Sequence, residues 1–593
     1  MPEKAQLQIG FSNLTINTCF QNYYIVPDYQ REYVWTHEQV EQLLSDLTDA
    51  FLADRKKDYF LGTIVTYKAE NYFELIDGQQ RLTTFFILLC ALRTSYLAHN
   101  EDSSVMNNLI YSPVMNEDGD TVPSYHLQLQ YEDASNYLEL IYNNEPVTED
   151  ISASGARLFD AHSVIMSFFA ERLSDVADLK KFASFILQKT RFIQIETYDI
   201  TDALKIFETI NQRGVGLNPM DLLKNMIFRH VDRSKFKELN MKWKEITSAL
   251  EKIDEKPLRF LRYFIMSNYD VSDVKDGILR EDQIYNWLSN NNDQCQYENK
   301  PFEFVQRMKT NVDKYVDYLS SKNSDIGNIH LSNIRLLAGR SYKLHLMLLL
   351  SAFRMDKTAF EHFNRIIESV VYYMVINKIT TNLTERTFAG WCPSIRNITN
   401  LGELNNFISA YIIPTVNEWK LNNEQSFLRL GLNSMQQYRI KFIIAKISAY
   451  VDALRIGKTE AGALSSYMES GIDIEHIMPQ TCTDKSEYGM SNEEFDGYIN
   501  KLGNLTLLEN SINKSIQNQD YAFKCEAYQQ SKFYLTKSVS GLVDQGTDTA
   551  ITRTNKKLSA WSVWNKKSIA ERQAMLYSLS EEIWGISTPD SAL

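Results

Sequence analysis

Between residues 231 and 455 apolar side chains recur at three- and four-residue spacing almost without a break, as in "KWKEITSALEKI", "PLRFLRYFIM", "SYKLHLMLLLSAF" and "FNRIIESVVYYMVI". That period matches the turn of an α-helix, and strand-like alternation is nearly absent, so the stretch predicts an almost wholly helical region. The flanks read differently. Residues 11–90 hold β-branched and aromatic runs ("NYYIVPDYQ", "YFLGTIVTY", "NYFELIDGQQ") broken by Pro-Asp, Leu-Gly and Asp-Gly, and "RFIQIETY" at 191–198 repeats the strand signal. Helical patterns follow these strands, "QQRLTTFFILLCALRTSYL" from Gln79 and "DALKIFETINQ" from Asp202. Polar patches at 112–125 and 143–156 predict loops, and "GKTEAGALSSYMESG" at 457–471 predicts a linker. A chain of 593 residues exceeds one hydrophobic core. The expectation is an α+β multidomain protein: an α/β domain over 1–230, an α-helical middle region over 231–455 and a smaller domain over 456–593.

Composition excludes several classes. With 44% apolar and 23% charged residues the chain is ordinary for a soluble protein. The longest apolar run, "FFILLCAL" at 85–92, is too short to cross a bilayer, and "MPEKAQLQIG" lacks the apolar segment of a secretory signal. Six scattered cysteines with no CxxC pair argue against a zinc site or disulfide framework and predict a reducing cytoplasm, with no membrane partner. The net charge of −13 hides a local reversal: 501–572 holds eleven Lys/Arg against six Asp/Glu. That surplus reads either as a solvated basic face or as a phosphate-binding surface, with Lys556, Lys557, Lys566 and Lys567 as candidates.

The sharpest motif is "DIEHIMPQ" at 473–480, which contains the last histidine of the chain. A nuclease using one metal ion needs a neutral histidine to take a proton from water. It also needs a hard divalent cation, which prefers carboxylate and amide oxygens. A strand ending in His476 beside Glu475, a second strand "LGNLTLL" bearing Asn504, and a helix bearing Asn513 nine residues later offer those parts in order. Glu475 and Asn513 then supply oxygen ligands, His476 the base, and the Asn504 amide pins the histidine loop. The bland alternative is a satisfied strand-end histidine with two turn-forming asparagines.

Two N-terminal runs also stand out. "VPDYQREYVW" packs Tyr29, Gln30, Arg31, Tyr33 and Trp35 together, and "LIDGQQRLTT" reads as strand, Asp-Gly turn and helix start. A helix N-terminus presents unpaired N–H groups, so Arg81 with the Thr83 and Thr84 hydroxyls could complete an anion site, while Asp77 could hold a cation or a sugar hydroxyl. The structural alternative is a tight turn, a helix cap and salt-bridged arginines.

"EHIMPQ … LGNLTLLENSINKS" resembles the HNH (His-Me finger, ββα-metal) nuclease motif in its His–Asn–Asn form, also found in RNA-guided CRISPR nucleases. The YQRxYxW run, the DGQQRLTT run and "IFETINQRGVGLNPMDLLKN" at 206–225 resemble the ParB/sulfiredoxin-like N-terminal domain of GmrSD-type, modification-dependent (type IV) restriction endonucleases. Their closing helix is similar to "WNKKSIAERQAMLYSLSEEIW" at 564–584, whereas the helical middle carries no motif of the family.

The resemblance implies nucleotide binding and hydrolysis (GTP, ATP or another NTP) in the N-terminal domain. It places Tyr29, Gln30, Arg31, Asp77, Gln79, Gln80, Arg81 and Thr83 in or near the pocket, with Glu208, Asn211 and Arg213 as a second motif. In the C-terminal domain it makes His476 the general base, Asn504 the loop anchor, and Glu475 and Asn513 ligands of Mg²⁺ or Mn²⁺. The implied partner is double-stranded DNA, modified and of phage origin, and a homodimer stays open. The competing expectation is an NTP-dependent sensor of modified or phosphorothioated DNA with a nicking or vestigial nuclease domain.

Overall fold

The computed structural model describes residues 9–586 except 29, 70, 116–120, 132–133, 147–150, 200–201, 204–205, 207–218, 324–325 and 482–484. The backbone divides into two compact units, 1–248 with 285–309, and 249–284 with 310–593.

The first unit is built on a six-stranded mixed sheet. Its order across the sheet is Ile9–Thr15, Thr190–Thr197, Tyr59–Lys68, Phe73–Asp77, Tyr24–Val26 and Leu127–Leu129. The three strands expected from "NYYIV", "YFLGTIVTY" and "NYFELID" all form, as does the one at 190–197. Tyr59–Lys68 and Phe73–Asp77 pair as an antiparallel hairpin, while Tyr24–Val26 runs parallel to both its neighbours. The expected loop at 112–125 instead contains an antiparallel pair, Tyr111–Met115 with Thr121–Tyr125. The β-branched residues Val114, Thr121 and Val122 outweigh the polar punctuation there. Against the sheet packs the helix Gln79–Ala98, in which Leu82 and every residue from Phe85 to Leu92 are fully buried. Among the described helices it is long and apolar enough to cross a membrane. Its burial within the unit's core accounts for that apolarity.

Helices make up most of the second unit, including Pro257–Asn268, Ile329–Ala338, Lys357–Ile376, Thr381–Ile395, Gln437–Arg455 and Lys566–Trp584. Two short strands, Ile472–His476 and Leu505–Glu509, form an antiparallel pair in the register Glu475↔Thr506 and His476↔Leu505. The helix Asn510–Ile516 follows the second strand without a break and packs on both. Helix Gln437–Arg455 contacts the strand Leu505–Glu509 and the last helix, so the hairpin rests on helices from both sides of it in sequence.

Candidate functional site

His476 is the last paired residue of its strand, and Asn504 then holds the two residues that follow it. The Ile477 N–H donates to the Asn504 carbonyl at 2.9 Å, and the Met478 N–H donates to Asn504 Oδ1 at 2.8 Å. Asn504 is fully buried, its Oδ1 also accepts the Trp564 indole N–H at 2.9 Å, and its Nδ2 donates to the Ile499 carbonyl at 2.8 Å. A side chain so committed anchors the histidine loop and has no reach to substrate. The segment before it is clamped by the last helix: Arg572 Nη1 donates to the Gly503 and Leu505 carbonyls at 2.9 and 2.7 Å.

The imidazole is itself 9% exposed, and burial pushes its pKa below the usual histidine value, with Asn500 opposing and Lys524 assisting that shift. It therefore favours the neutral form that can accept a proton. Its Nε2 lies 3.3 Å from Asn500 Oδ1, and Gln480 Nε2 lies 3.0 Å from its Nδ1.

The carboxylates are placed less simply. Glu475 Oε1 accepts from Lys524 Nζ at 2.6 Å and from the Tyr528 hydroxyl at 3.2 Å, and Lys524 Nζ also reaches the His476 carbonyl at 2.7 Å. Burial raises the Glu475 pKa, against the pull of Lys524. Asn513 Nδ2 donates at 3.4 Å to Asp473 Oδ2, which also takes Asn510 Nδ2 at 2.9 Å. The structure thus unites His476 with Asn504, and Asn513 with Asp473, two residues from Glu475 on the same strand face. Two carboxylates and a helix carboxamide form an all-oxygen donor set that suits a hard divalent cation. No group of three His, Cys, Asp or Glu gathers among the described residues, so such an ion would draw its other ligands from water and phosphate.

Sequence reasoning missed Asp473, Lys524, Tyr528, Asn500 and Arg572. Asp473 carried a signal, being two residues before Glu475. Lys524 and Arg572 had been counted in the basic surplus, but both are buried within the unit, so the surface surplus is smaller by two. Of the four candidate DNA-binding lysines, Lys557 pairs with Glu582, Lys566 with Glu494 and Lys567 with Glu571, and Lys556 is exposed. Exposed pairs of this kind are weak, so a phosphate could compete for the lysines.

In the first unit, Asp77 ends its strand and Gly78 turns the chain with φ 89°, where a Cβ would come within 2.6 Å of Ile64. Gln80 clasps the 31–35 segment, accepting from Val34 N at 2.8 Å and donating to the Glu32 carbonyl at 2.9 Å, while Gln79 Nε2 donates to the Arg31 carbonyl at 3.1 Å. Arg81 gives both terminal nitrogens to backbone, to Leu61 and Thr63 carbonyls at 2.7 and 2.9 Å. Thr84 bonds the Gln80 carbonyl and the Tyr33 hydroxyl, and Thr83 is buried. The Arg81 guanidinium and the Thr84 hydroxyl proposed for an anion site at this helix start are therefore committed to the fold.

Beside them, Gln30 Nε2 and Gln79 Oε1 are buried without hydrogen-bond partners, and Asp77 is pushed up in pKa by burial against the pull of Arg81 and Arg31. Orphaned buried polar atoms are uncommon and suit an absent polar ligand. Tyr29, Glu208, Asn211 and Arg213 lie outside the described residues.

Two family models match the chain. Residues 11–228 match the N-terminal domain of the GmrSD restriction endonuclease, and residues 421–579 match the C-terminal domain of GmrSD restriction endonucleases, together well over half of the chain. No curated protein matches it.

Proposed function

The chain belongs to the GmrSD restriction endonuclease family, and from that premise we propose that it is a nucleotide-regulated, modification-dependent DNA endonuclease of cytoplasmic phage defence. The observation that carries the reading is His476: buried, favouring its neutral form, and set at a strand end whose following loop is pinned by the buried Asn504 carboxamide. In this reading His476 removes a proton from the attacking water, and Asn504 holds the loop that aims it. Glu475 and Asn513, with Asp473 beside them, would hold Mg²⁺ or Mn²⁺. When bound, that ion neutralises charge on the scissile phosphate.

The N-terminal unit binds an NTP beside Gln30, Arg31, Asp77 and Gln79, with Gln80, Arg81 and Thr83 supporting them. The unpartnered Gln30 and Gln79 atoms support this. The lysines at 556–567 contribute a DNA-facing surface.

The test is cleavage by the full chain of cytosine, hydroxymethylcytosine, glucosylated and phosphorothioate duplexes, with Mg²⁺ or Mn²⁺, with and without several NTPs. Selective cutting that depends on nucleotide and vanishes in His476→Ala is the expected result. Equal cutting of plain and modified DNA regardless of nucleotide defeats the regulatory part.

One observation favours a second reading. Lys524 already neutralises Glu475, as it would in a nuclease fold retained only for binding. An NTP-dependent DNA sensor would cleave nothing in vitro, and His476→Ala would still restrict phage.

A further inference from the structure

Between the stretches that match the family models, 11–228 and 421–579, the second unit holds a pocket of about 320 Å³. Its wall carries three cations, Arg335, Arg340 and Lys343, and no Asp or Glu among the described residues. A chain with a net charge of −13 concentrates positive charge there against its own average.

The sequence builds this wall at the end of a helix. Helix Ile329–Ala338 stops at Gly339, whose φ of 94° is left-handed, and the Tyr342 N–H then donates to the Gly339 carbonyl at 3.2 Å. The reversal sets Arg340 and Lys343 on the same pocket as Arg335 from the last helical turn. The negative end of the helix is covered, since the Gly339 N–H takes the Arg335 carbonyl at 3.1 Å and Arg439 Nη2 takes the Ala338 carbonyl at 3.3 Å.

These cations are poorly neutralised. Lys343 pairs with Glu255, but that fully buried carboxylate also faces Arg259 Nε at 3.6 Å and accepts the Tyr315 hydroxyl at 2.9 Å. Arg335 donates to the Leu319 carbonyl at 3.3 Å, and among the described residues no carboxylate pairs with it or with Arg340. A larger pocket beside Arg262 lacks this imbalance, because its Arg262 and Arg386 pair with Glu385 and Asp276.

Two further residues of the wall, Tyr342 and His345, stack with ring planes 6° apart. The Tyr342 hydroxyl and His345 Nδ1 are buried without hydrogen-bond partners, a condition that suits an absent polar ligand. Burial pushes the His345 pKa down to about 3, so the ring is neutral and the charge of the pocket comes from its Lys and Arg alone.

We propose that this pocket binds a small phosphorylated ligand, with the Arg335 and Arg340 guanidiniums and the Lys343 ammonium holding its phosphate. A guanidinium fork matches two phosphate oxygens at once and stays charged at any physiological pH. The volume lies at the low end for small-molecule sites, which fits a diphosphate or a mononucleotide and not the side of a duplex. The site is separate from the one assigned to the N-terminal unit, and it stands whether or not the chain cleaves DNA.

The experiment is arginine modification of the full chain by phenylglyoxal, mapped by mass spectrometry. Sodium pyrophosphate, ATP and GTP at millimolar concentration should slow modification of Arg340 several-fold and leave the exposed Arg354, which does not line the pocket, unchanged. Protection should persist in Asp77→Asn, which separates this pocket from the N-terminal site. In Arg335→Ala the pyrophosphate concentration that half-protects Arg340 should rise roughly 10- to 100-fold, the loss of a hydrogen bond from a charged donor. Arg335 is exposed, so the variant keeps its fold.

Arg340 modified at one rate with and without all three probes overturns the site, as does a half-protection concentration unchanged in Arg335→Ala. Protection by a DNA duplex alone also overturns it and assigns the pocket to a DNA-binding face. Half-protection at lower concentrations of nucleotide than of pyrophosphate identifies a nucleotide as the ligand, and equal concentrations identify the phosphate group as all that is read.

Discussion

Lys524 Nζ stands 2.6 Å from Glu475 Oε1 and 2.7 Å from the His476 carbonyl oxygen, so one buried ammonium ties two consecutive residues of the site to the helix Tyr521–Tyr528. Removing that cation strands a carboxylate away from water. Lys524→Met should destabilise the protein by about 3–5 kcal/mol, the usual loss when one member of a buried pair is deleted. Adding Glu475→Gln should restore most of it, since both charges are then gone. Urea denaturation of the three variants checks this, and a Lys524→Met protein as stable as its parent would show that Glu475 has other compensation.

Asn504→Ala would leave the Met478 and Trp564 N–H groups and the Ile499 carbonyl without their buried partner. At about 1–3 kcal/mol for each unsatisfied group, partly relieved by relaxation, a loss of about 2–4 kcal/mol is expected. The histidine loop should also become accessible to protease under native conditions. Limited proteolysis with mass mapping of the 477–481 bonds reads that directly, and an unchanged cleavage pattern would count against the anchor.

Gly431 precedes His476 by 45 residues, yet a Cβ there would sit 2.2 Å from the Asn500 carbonyl oxygen. Gly431→Ala must push the Asn500 backbone, at about 1–3 kcal/mol for an overpacked contact. It should slow DNA cleavage as well. Gly462→Ala, whose new methyl meets nothing within 4 Å, is the control and should stay within about 0.5 kcal/mol of the parent. Equal thermal shifts in the two variants would show that the backbone bridge between Gly431 and Lys501 does not bear on the site.

A second buried acid governs acid stability. Glu368 accepts from His330 Nδ1 at 2.7 Å and Asn333 Nδ2 at 3.1 Å, and its other oxygen faces Lys446 Nζ at 3.0 Å as an ion pair outside hydrogen-bonding geometry. Burial alone would raise its pKa, but Lys446 and His330 outweigh burial and bring it to about 2. A carboxyl depressed in the folded state stabilises fully above its unfolded pKa and loses that contribution as pH falls toward the folded value. From 4.5 to about 2 the contribution is about 3 kcal/mol, declining below pH 4.5. Unfolding measured across pH 6 to 3 should show a steeper loss in the parent than in Glu368→Gln, and parallel curves would refute it.

Much of this protein was legible in its residues. Helical periodicity at 231–455 and the β-branched runs near 24–26, 59–68, 73–77 and 190–197 named their elements, because these patterns are local and follow from which face of a helix or strand meets water. The spacing of His476, Asn504 and Asn513 likewise announced a strand, a strand and a helix, and the Asn504 anchor came with it, although Asn504 sits in the turn Leu502–Asn504 just before the strand Leu505–Glu509 rather than on it.

Which partner each side chain takes was decided by tertiary structure. A sequence shows Lys524 and Arg572 as two more positive charges, and only packing turns the first into the counter-ion of Glu475 and the second into a clamp on the Gly503 and Leu505 carbonyls. The same holds for Asn500 meeting His476 and for Asn513 meeting Asp473 instead of Glu475. The reason is range: local periodicity arises from neighbours within a turn or two, whereas a hydrogen bond selects among all groups that folding brings within about 3 Å, whatever their separation along the chain.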